Sequence, residues 1–158
     1  MRSDLPPNRF VARDILRLEQ AYGAEHVFWD ERGRWLQLTR FLLRSPRYAF
    51  NREDTYVLMF PPEDYGERAG TGAGIEEFYI HRDLRIRRNG RWQEIPHTYA
   101  DIDRRDGAAV GMQHRYACCH IRWDPRRHTV LTSLTMLGLF LGDPWTFENR
   151  SEAWKTAG

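Results

Sequence analysis

Two helix-type hydrophobic patterns, one near each end of the chain, enclose a series of short strand-type patterns. From Arg9 to Tyr22 apolar residues recur at helical spacing among charged ones, and Gly23 follows as a stop signal. From His128 to Leu141 a wider apolar face ends at Gly142-Asp143-Pro144. This order is typical of an α+β fold, in which an antiparallel sheet is covered by helices on one face.

Five strand-type runs separated by turn signals fill the middle of the chain. In order, they cover residues 26–30, 35–43, 55–60, 75–86 and 92–95. Asn89-Gly90, between the last two runs, predicts a two-residue hairpin turn. Residues 96–111 lose the alternation and predict a long irregular loop, a kind of segment that often carries function. No repeat or linker divides the chain, so we expect a single domain over residues 1–158.

Composition excludes several classes of protein. The 158 residues are enough to bury a core, and 41% hydrophobic with 13% aromatic residues is a globular composition. No apolar run approaches the roughly 18 residues of a membrane span, and residues 1–7 lack a signal-peptide pattern, so we expect a cytoplasmic protein with no membrane partner.

A formal net charge of +2 is weak for binding a phosphate backbone. We interpret Arg85-Ile86-Arg87-Arg88 as a solvated hairpin end and expect no nucleic-acid partner.

The strongest local signal for chemistry is Cys118-Cys119-His120, which follows the irregular loop. A cysteine nucleophile needs thiolate character, which neighbouring cations and histidines favour. Within a few residues lie His114, Arg115, His120 and Arg122. The alternative is that both cysteines are small core residues of a strand, because free cysteine is among the most buried residue types. The spacing alone leaves both interpretations open.

A metal site is the third interpretation of this region. The residues of ligand type are His97, His114, Cys118, Cys119 and His120. Neighbouring cysteines on an extended chain face opposite sides, and the chain has no Cys-x-x-Cys or His-x-x-x-His pair that would hold zinc. We therefore expect no metal and no other cofactor. Two cysteines do not make a disulfide scaffold either, which fits a reducing compartment.

Several runs of residues, taken in order, resemble the ubiquitin-conjugating enzymes. Phe60-Pro61-Pro62-Glu63-Asp64-Tyr65 is similar to the family's Phe-Pro-x-x-Tyr-Pro, and Ala117-Cys118-Cys119-His120-Ile121 to the Ile-Cys-Leu-Asp-Ile around its catalytic cysteine. Trp123-Asp124-Pro125 is similar to the Trp-x-Pro that follows, and residues 129–144 resemble the crossover helix that ends in Asp-Pro. The resemblance covers about residues 9–145 and leaves 146–158 as a short C-terminal tail. It implies a UBC-like fold with an N-terminal helix, an antiparallel meander, an active-site loop and a crossover helix.

The chain departs from that family at defined positions. Gly66 stands where the family has the final proline of its Phe-Pro-x-x-Tyr-Pro run. The family's His-Pro-Asn, whose asparagine is held to stabilise the oxyanion, is missing, because no asparagine lies between Asn89 and Cys118. The shortened region after the cysteine and the short tail resemble divergent bacterial members. Those members occur with a ubiquitin-like protein, an activating enzyme and a deubiquitinase in anti-phage operons.

The resemblance implies a cysteine thioester carrier. Such an enzyme accepts a ubiquitin-like protein from an activating enzyme and transfers it to an amine on a target protein. Cys118 aligns with the nucleophile, while Cys119 aligns with a buried leucine and is the alternative nucleophile. The residues available to move a proton or stabilise the oxyanion are His114, His120 and His97. Asp124 or Asp101 would orient the amine.

In this family the N-terminal helix docks the activating enzyme. Arg9, Arg13 and Arg17 follow one another at helical spacing and form a basic stripe that would bind an acidic surface of that enzyme. A solvated helix face is the alternative interpretation of the stripe. The missing asparagine also keeps open a second function, a catalytically inactive UBC-like domain that serves as a binding module.

Overall fold

The structure is a computed structural model that describes residues 8–32, 34–100 and 114–147. Within those ranges the chain forms two α-helices and nine β-strands. In chain order these are α1 (Arg9–Tyr22), β1 (Val27–Asp30), β2 (Trp35–Leu42), β3 (Ala49–Phe50), β4 (Asp54–Met59), β5 (Glu77–His81), β6 (Arg85–Arg88), β7 (Arg91–Glu94), β8 (Thr98–Tyr99), β9 (His114–Cys118) and α2 (Val130–Gly142). Neither helix in these ranges has the length and apolar character needed to cross a membrane.

The strands form two antiparallel sheets. The larger has six strands in the order β1-β2-β4-β5-β9-β8, and the smaller has three in the order β3-β6-β7. The α+β class and the antiparallel sheet expected from the sequence are therefore confirmed. β3 and β9 were not among the predicted strand runs, and two further details differ from the prediction. The run 75–86 is two strands, β5 and β6, in different sheets, and β8 lies inside the stretch predicted to be irregular. The rest of that stretch, 101–111, lies outside the described residues.

Local signals explain where the two helices begin and end. Asn8 caps α1, because its side-chain oxygen accepts hydrogen bonds from the backbone N–H groups of Phe10 and Val11. Gly23, with φ of 96°, ends that helix at the predicted residue. Thr129 and Thr132 form a reciprocal capping box at the start of α2.

The two faces of the larger sheet bury different side chains. Along β4, Val57 and Met59 belong to the main core that the helices cover, whereas Leu58 belongs to a second cluster. That cluster is rich in aromatic residues and also contains Phe60, Tyr79 and Tyr116, with Trp35 and Tyr56 packed against it. Successive strand residues point to opposite faces, so the two clusters lie on opposite sides of the sheet.

A buried carboxylate joins the two helices to the segment that follows β4. Asp14 of α1 is 2% exposed and accepts a hydrogen bond from the hydroxyl of Tyr65. It also accepts from the backbone N–H of Val130 at 3.3 Å and pairs with Arg17 at 2.5 Å. Burial, with the negative charge of Asp14, raises the pKa of Tyr65 well above its usual value, so this hydroxyl stays a donor.

A buried arginine performs a similar joining function near the smaller sheet. Arg115 of β9 is 1% exposed, and its guanidinium donates to Glu94 Oε1 at 3.0 Å and to Thr98 Oγ1 at 3.1 Å. It also reaches the backbone carbonyls of Thr98 and Arg82, each at 3.4 Å. The hydrogen bond from Arg115 lowers the pKa of the Glu94 carboxyl. One side chain thus holds β7, β8 and the turn after β5 against β9.

Candidate functional site

A groove runs beside the end of β9. Two backbone hydrogen bonds between Gly70 and Trp123, of 2.8 and 3.2 Å, join the loop after Tyr65 to the segment after β9. The groove has a volume of about 1040 Å³, and its walls come from that loop and from residues 120–128. We call it the Trp123 groove.

The buried side chain of Trp123 packs beneath the surface of this groove. Its side chain is 1% exposed, and its ring packs against Tyr65 and His128, with centroid distances of 5.6 and 5.3 Å. A Cβ atom at Gly74 would lie 2.2 Å from the indole ring, so only glycine fits there. The groove therefore rests on a closely packed base.

The two cysteines lie where β9 ends. The backbone of Cys118 pairs with Glu77 of β5, and for this residue the structure describes the backbone alone. Cys119 is 1% exposed within the main core, and its N–H donates to the carbonyl of Glu76 at 3.0 Å. Cys119 is therefore a small core residue in this structure.

The imidazole of His120 is held by a buried acid at the edge of the Trp123 groove. Its Nδ1 lies 3.0 Å from Glu76 Oε2, and the side chain of His120 is 70% exposed while that of Glu76 is 7% exposed. The other oxygen of Glu76 accepts the N–H of Gly72 at 2.9 Å. A carboxylate accepts only, so Nδ1 carries the proton in this contact. In the neutral imidazole, Nε2 is then the nitrogen that carries no proton.

The other two candidate histidines lie at different distances from Cys118. His97 is exposed, has φ of 60° and stands in the turn before β8; continuing the Thr98–Ala117 register by one residue places it opposite Cys118. His114 is at the far end of β9, four residues or roughly 13 Å from Cys118. Its Nδ1 contacts the hydroxyl of Tyr56 at 2.5 Å. His97 and His120 are therefore the histidines near the cysteine position.

Asp124 shapes the turn that leads into α2. Its side chain accepts the N–H of Arg126 at 2.9 Å, and its own N–H donates to Nδ1 of His128 at 2.9 Å. Burial lowers the pKa of His128 against the opposing charge of Asp124, and Arg127 lowers it further, so the neutral ring can accept this bond. Asp124 lines the Trp123 groove, as an amine-orienting residue would. Asp101, the other candidate, lies outside the described residues.

The three arginines of α1 are held in two different ways. The guanidinium groups of Arg9 and Arg13 lie 4.8 and 5.8 Å from the ring centroid of Phe10, within the range of cation–π contacts. Arg17 pairs with the buried Asp14. Arg9 and Arg13 are thus the exposed members of the stripe, while Arg17 is tied to the core.

Sequence reasoning missed Glu76, the residue that orients His120. Nothing in the sequence distinguishes Glu76 from the adjacent Glu77, and its partner lies 44 residues away.

In the part of the chain that the structure describes, no three His, Cys, Asp or Glu side chains are grouped so that they could hold a metal ion.

The chain was compared with protein-family models, curated proteins and solved structures. None matches.

Proposed function

We propose that this chain is a ubiquitin-conjugating-like enzyme that carries a ubiquitin-like protein as a thioester on Cys118 and transfers it to an amine of a target protein. The single observation that carries the proposal is the Glu76–His120 pair. It places an oriented imidazole two residues after the candidate nucleophile, at the edge of an open groove. An exposed base held by a buried carboxylate is the arrangement that amine deprotonation needs.

The positions of the family-like runs also support the proposal. Phe60-Pro61-Pro62 directly follows β4, the third strand of the larger sheet. Gly66 replaces the family's proline for a local reason. Its φ of 87° is closed to proline, and a Cβ there would lie 2.2 Å from Phe10. This departure is therefore compatible with a UBC-like fold.

The proposed chemistry has two balanced steps. The Cys118 thiolate attacks the thioester carbonyl on the activating enzyme, a new S–C bond forms, and the enzyme's thiolate leaves. A target amine then attacks the same carbonyl, an N–C bond forms, and the Cys118 thiolate leaves. His120 Nε2 takes the proton that the amine loses, while Glu76 stabilises the resulting imidazolium. Asp124 in the groove would hold the incoming amine.

The direct test is intact mass under non-reducing conditions. The protein is incubated with ATP, an activating enzyme and the ubiquitin-like protein of its own system, with Cys118→Ser and Cys119→Ser in parallel. We expect a thiol-labile adduct that only Cys118→Ser abolishes. Loss only in Cys119→Ser would move the nucleophile by one residue. No adduct from a charged activating enzyme would contradict the enzyme proposal and favour the inactive binding module.

Replacing Glu76 tests the proposed base separately from the nucleophile. We expect Glu76→Gln to load at the wild-type level but to release its acyl group to free lysine about tenfold more slowly. Glutamine has one acceptor oxygen for the two donors that Glu76 serves, His120 and the Gly72 N–H, and no negative charge to stabilise the imidazolium. Glu76→Asp should recover part of that rate. Glu67→Gln, which removes an exposed acid from the wall of the same groove, is the matched control. Equal release rates in Glu76→Gln and the control would exclude the role of the pair.

A further inference from the structure

The smaller sheet ends in an open edge. In the described part of the chain β7 pairs with β6 alone, and it forms one end of the order β3-β6-β7. Three of its four residues are exposed, among them Trp92, which is 50% exposed. An exposed edge strand presents backbone N–H and C=O groups that another polypeptide can pair with.

The hairpin turn determines which of those groups face outward. Asn89 and Gly90 have φ of 53° and 75°, as a two-residue turn with two left-handed residues requires. In such a hairpin the flanking pair, Arg88 and Arg91, exchanges hydrogen bonds across the strands. The backbone groups of Trp92 therefore face the open edge, and two residues later those of Glu94 do so again.

The same edge carries positive charge that no acid in the described chain neutralises. Arg87 lies over the ring of Trp92 at 5.9 Å and Arg88 over Trp145 at 4.2 Å, and Arg91 is exposed. None of the three arginines forms an ion pair with a described carboxylate, unlike Arg85, which reaches Glu94 at 3.9 Å. A shallow pocket of about 650 Å³ lies between this turn and β3, and Arg87 and Arg88 line it.

We propose that β7 and these arginines bind an acidic segment of another protein, which adds to the sheet as an extended strand. Charge complementarity selects acidic side chains on both faces of the added strand, because Arg91 lies on one face of the hairpin and Arg87, beside Trp92, on the other. The open edge selects a polypeptide, because only a peptide backbone matches its ladder of N–H and C=O groups. Trp92, with its neighbouring arginines, has the composition common at the centre of protein interfaces. This surface is independent of the groove and of the proposed transfer reaction.

The probe is a fluorescein-labelled octapeptide of glutamate and valine, Glu-Glu-Val-Glu-Glu-Val-Glu-Glu, which as an extended strand carries glutamates on both faces. Its binding to the full chain is measured by fluorescence anisotropy. We expect saturable binding that weakens with salt, and no binding of the matching lysine–valine peptide. Arg87→Ser with Arg91→Ser should weaken binding at least tenfold. Arg122→Ser with Arg126→Ser removes the same charge from the groove and should leave binding unchanged. Equal weakening in both double variants would overturn the proposal, as would no binding.

Amide hydrogen exchange distinguishes strand addition from general attraction between charges. On adding the glutamate–valine peptide we expect exchange at the amides of Trp92 and Glu94 to slow, while exposed amides elsewhere stay unchanged. Binding without this protection would overturn strand addition.

A twelve-nucleotide oligothymidylate is the competing probe. If it binds more tightly than the peptide at the same salt concentration and loses affinity in Arg87→Ser with Arg91→Ser, the surface belongs to nucleic acid and the proposal is wrong.

Discussion

Asp14→Ala is expected to lower the free energy of unfolding by about 4 kcal/mol, a large share of the stability of a domain of this size. The substitution leaves the hydroxyl of Tyr65 and the N–H of Val130 buried without their acceptor, and each such group costs about 1–3 kcal/mol. It also removes the partner of Arg17. Urea denaturation followed by tryptophan fluorescence measures the change.

Two further variants make the Asp14 experiment specific. Asp14→Asn keeps the shape and one acceptor oxygen, so its loss should be smaller than that of Asp14→Ala. Glu63→Ala removes an acid that is 87% exposed and paired with Arg34, and it should change stability by no more than about 0.5 kcal/mol. If Asp14→Ala resembled Glu63→Ala, the carboxylate would not be what joins the two helices.

Arg115→Met is the second substitution with a large expected effect, a loss of about 3 kcal/mol. Methionine replaces the aliphatic stem, but the Thr98 hydroxyl and the carbonyls of Thr98 and Arg82 lose their shared donor. The charge of Glu94 adds little to the cost, because its side chain is 64% exposed and returns to water. Urea denaturation gives the overall loss, and amide exchange shows whether β8 and the hairpin open first.

Arg115→Lys separates the charge from the geometry. A lysine ammonium is a single point charge and cannot reach three separate partners as the planar guanidinium does, so we expect more than half of the loss to remain. Arg40→Met, at an arginine that is 56% exposed and pairs with Asp54, controls for removing a surface cation. A wild-type-like Arg115→Lys would show that only the charge matters.

Local sequence signals predicted the parts of the fold that local physics determines. The helix over Arg9–Tyr22 has the predicted bounds because its spacing and its glycine stop both act within the segment. The turn between β5 and β6 was missed because the alternation of apolar residues continues through it. Asn51 holds that turn from 34 residues away, accepting the N–H of Arg85 and donating to the carbonyl of Asp83. A contact at that separation leaves no pattern in the sequence.

The residues of the candidate site likewise fall into those that the local sequence predicts and those that depend on distant contacts. Cys118, His120 and Asp124 are close in sequence, so a local motif was enough to select them. Glu76 was not predicted, because what distinguishes it is burial beside a histidine 44 residues later. His114 was selected because it is close in sequence to Cys118. In the extended strand β9, however, the two residues lie at opposite ends.

The carboxylate of Asp14 has a consequence for the order in which the chain folds. One of its donors, Val130, lies 116 residues further along the chain. During synthesis from the N-terminus α1 is made first, but this acid has no complete set of partners until α2 emerges. Contacts of such long sequence separation slow folding, because the loop between them must close first. We therefore expect α1 to reach its final burial only as α2 docks, and a nascent chain that stops before residue 130 to expose α1 to proteases.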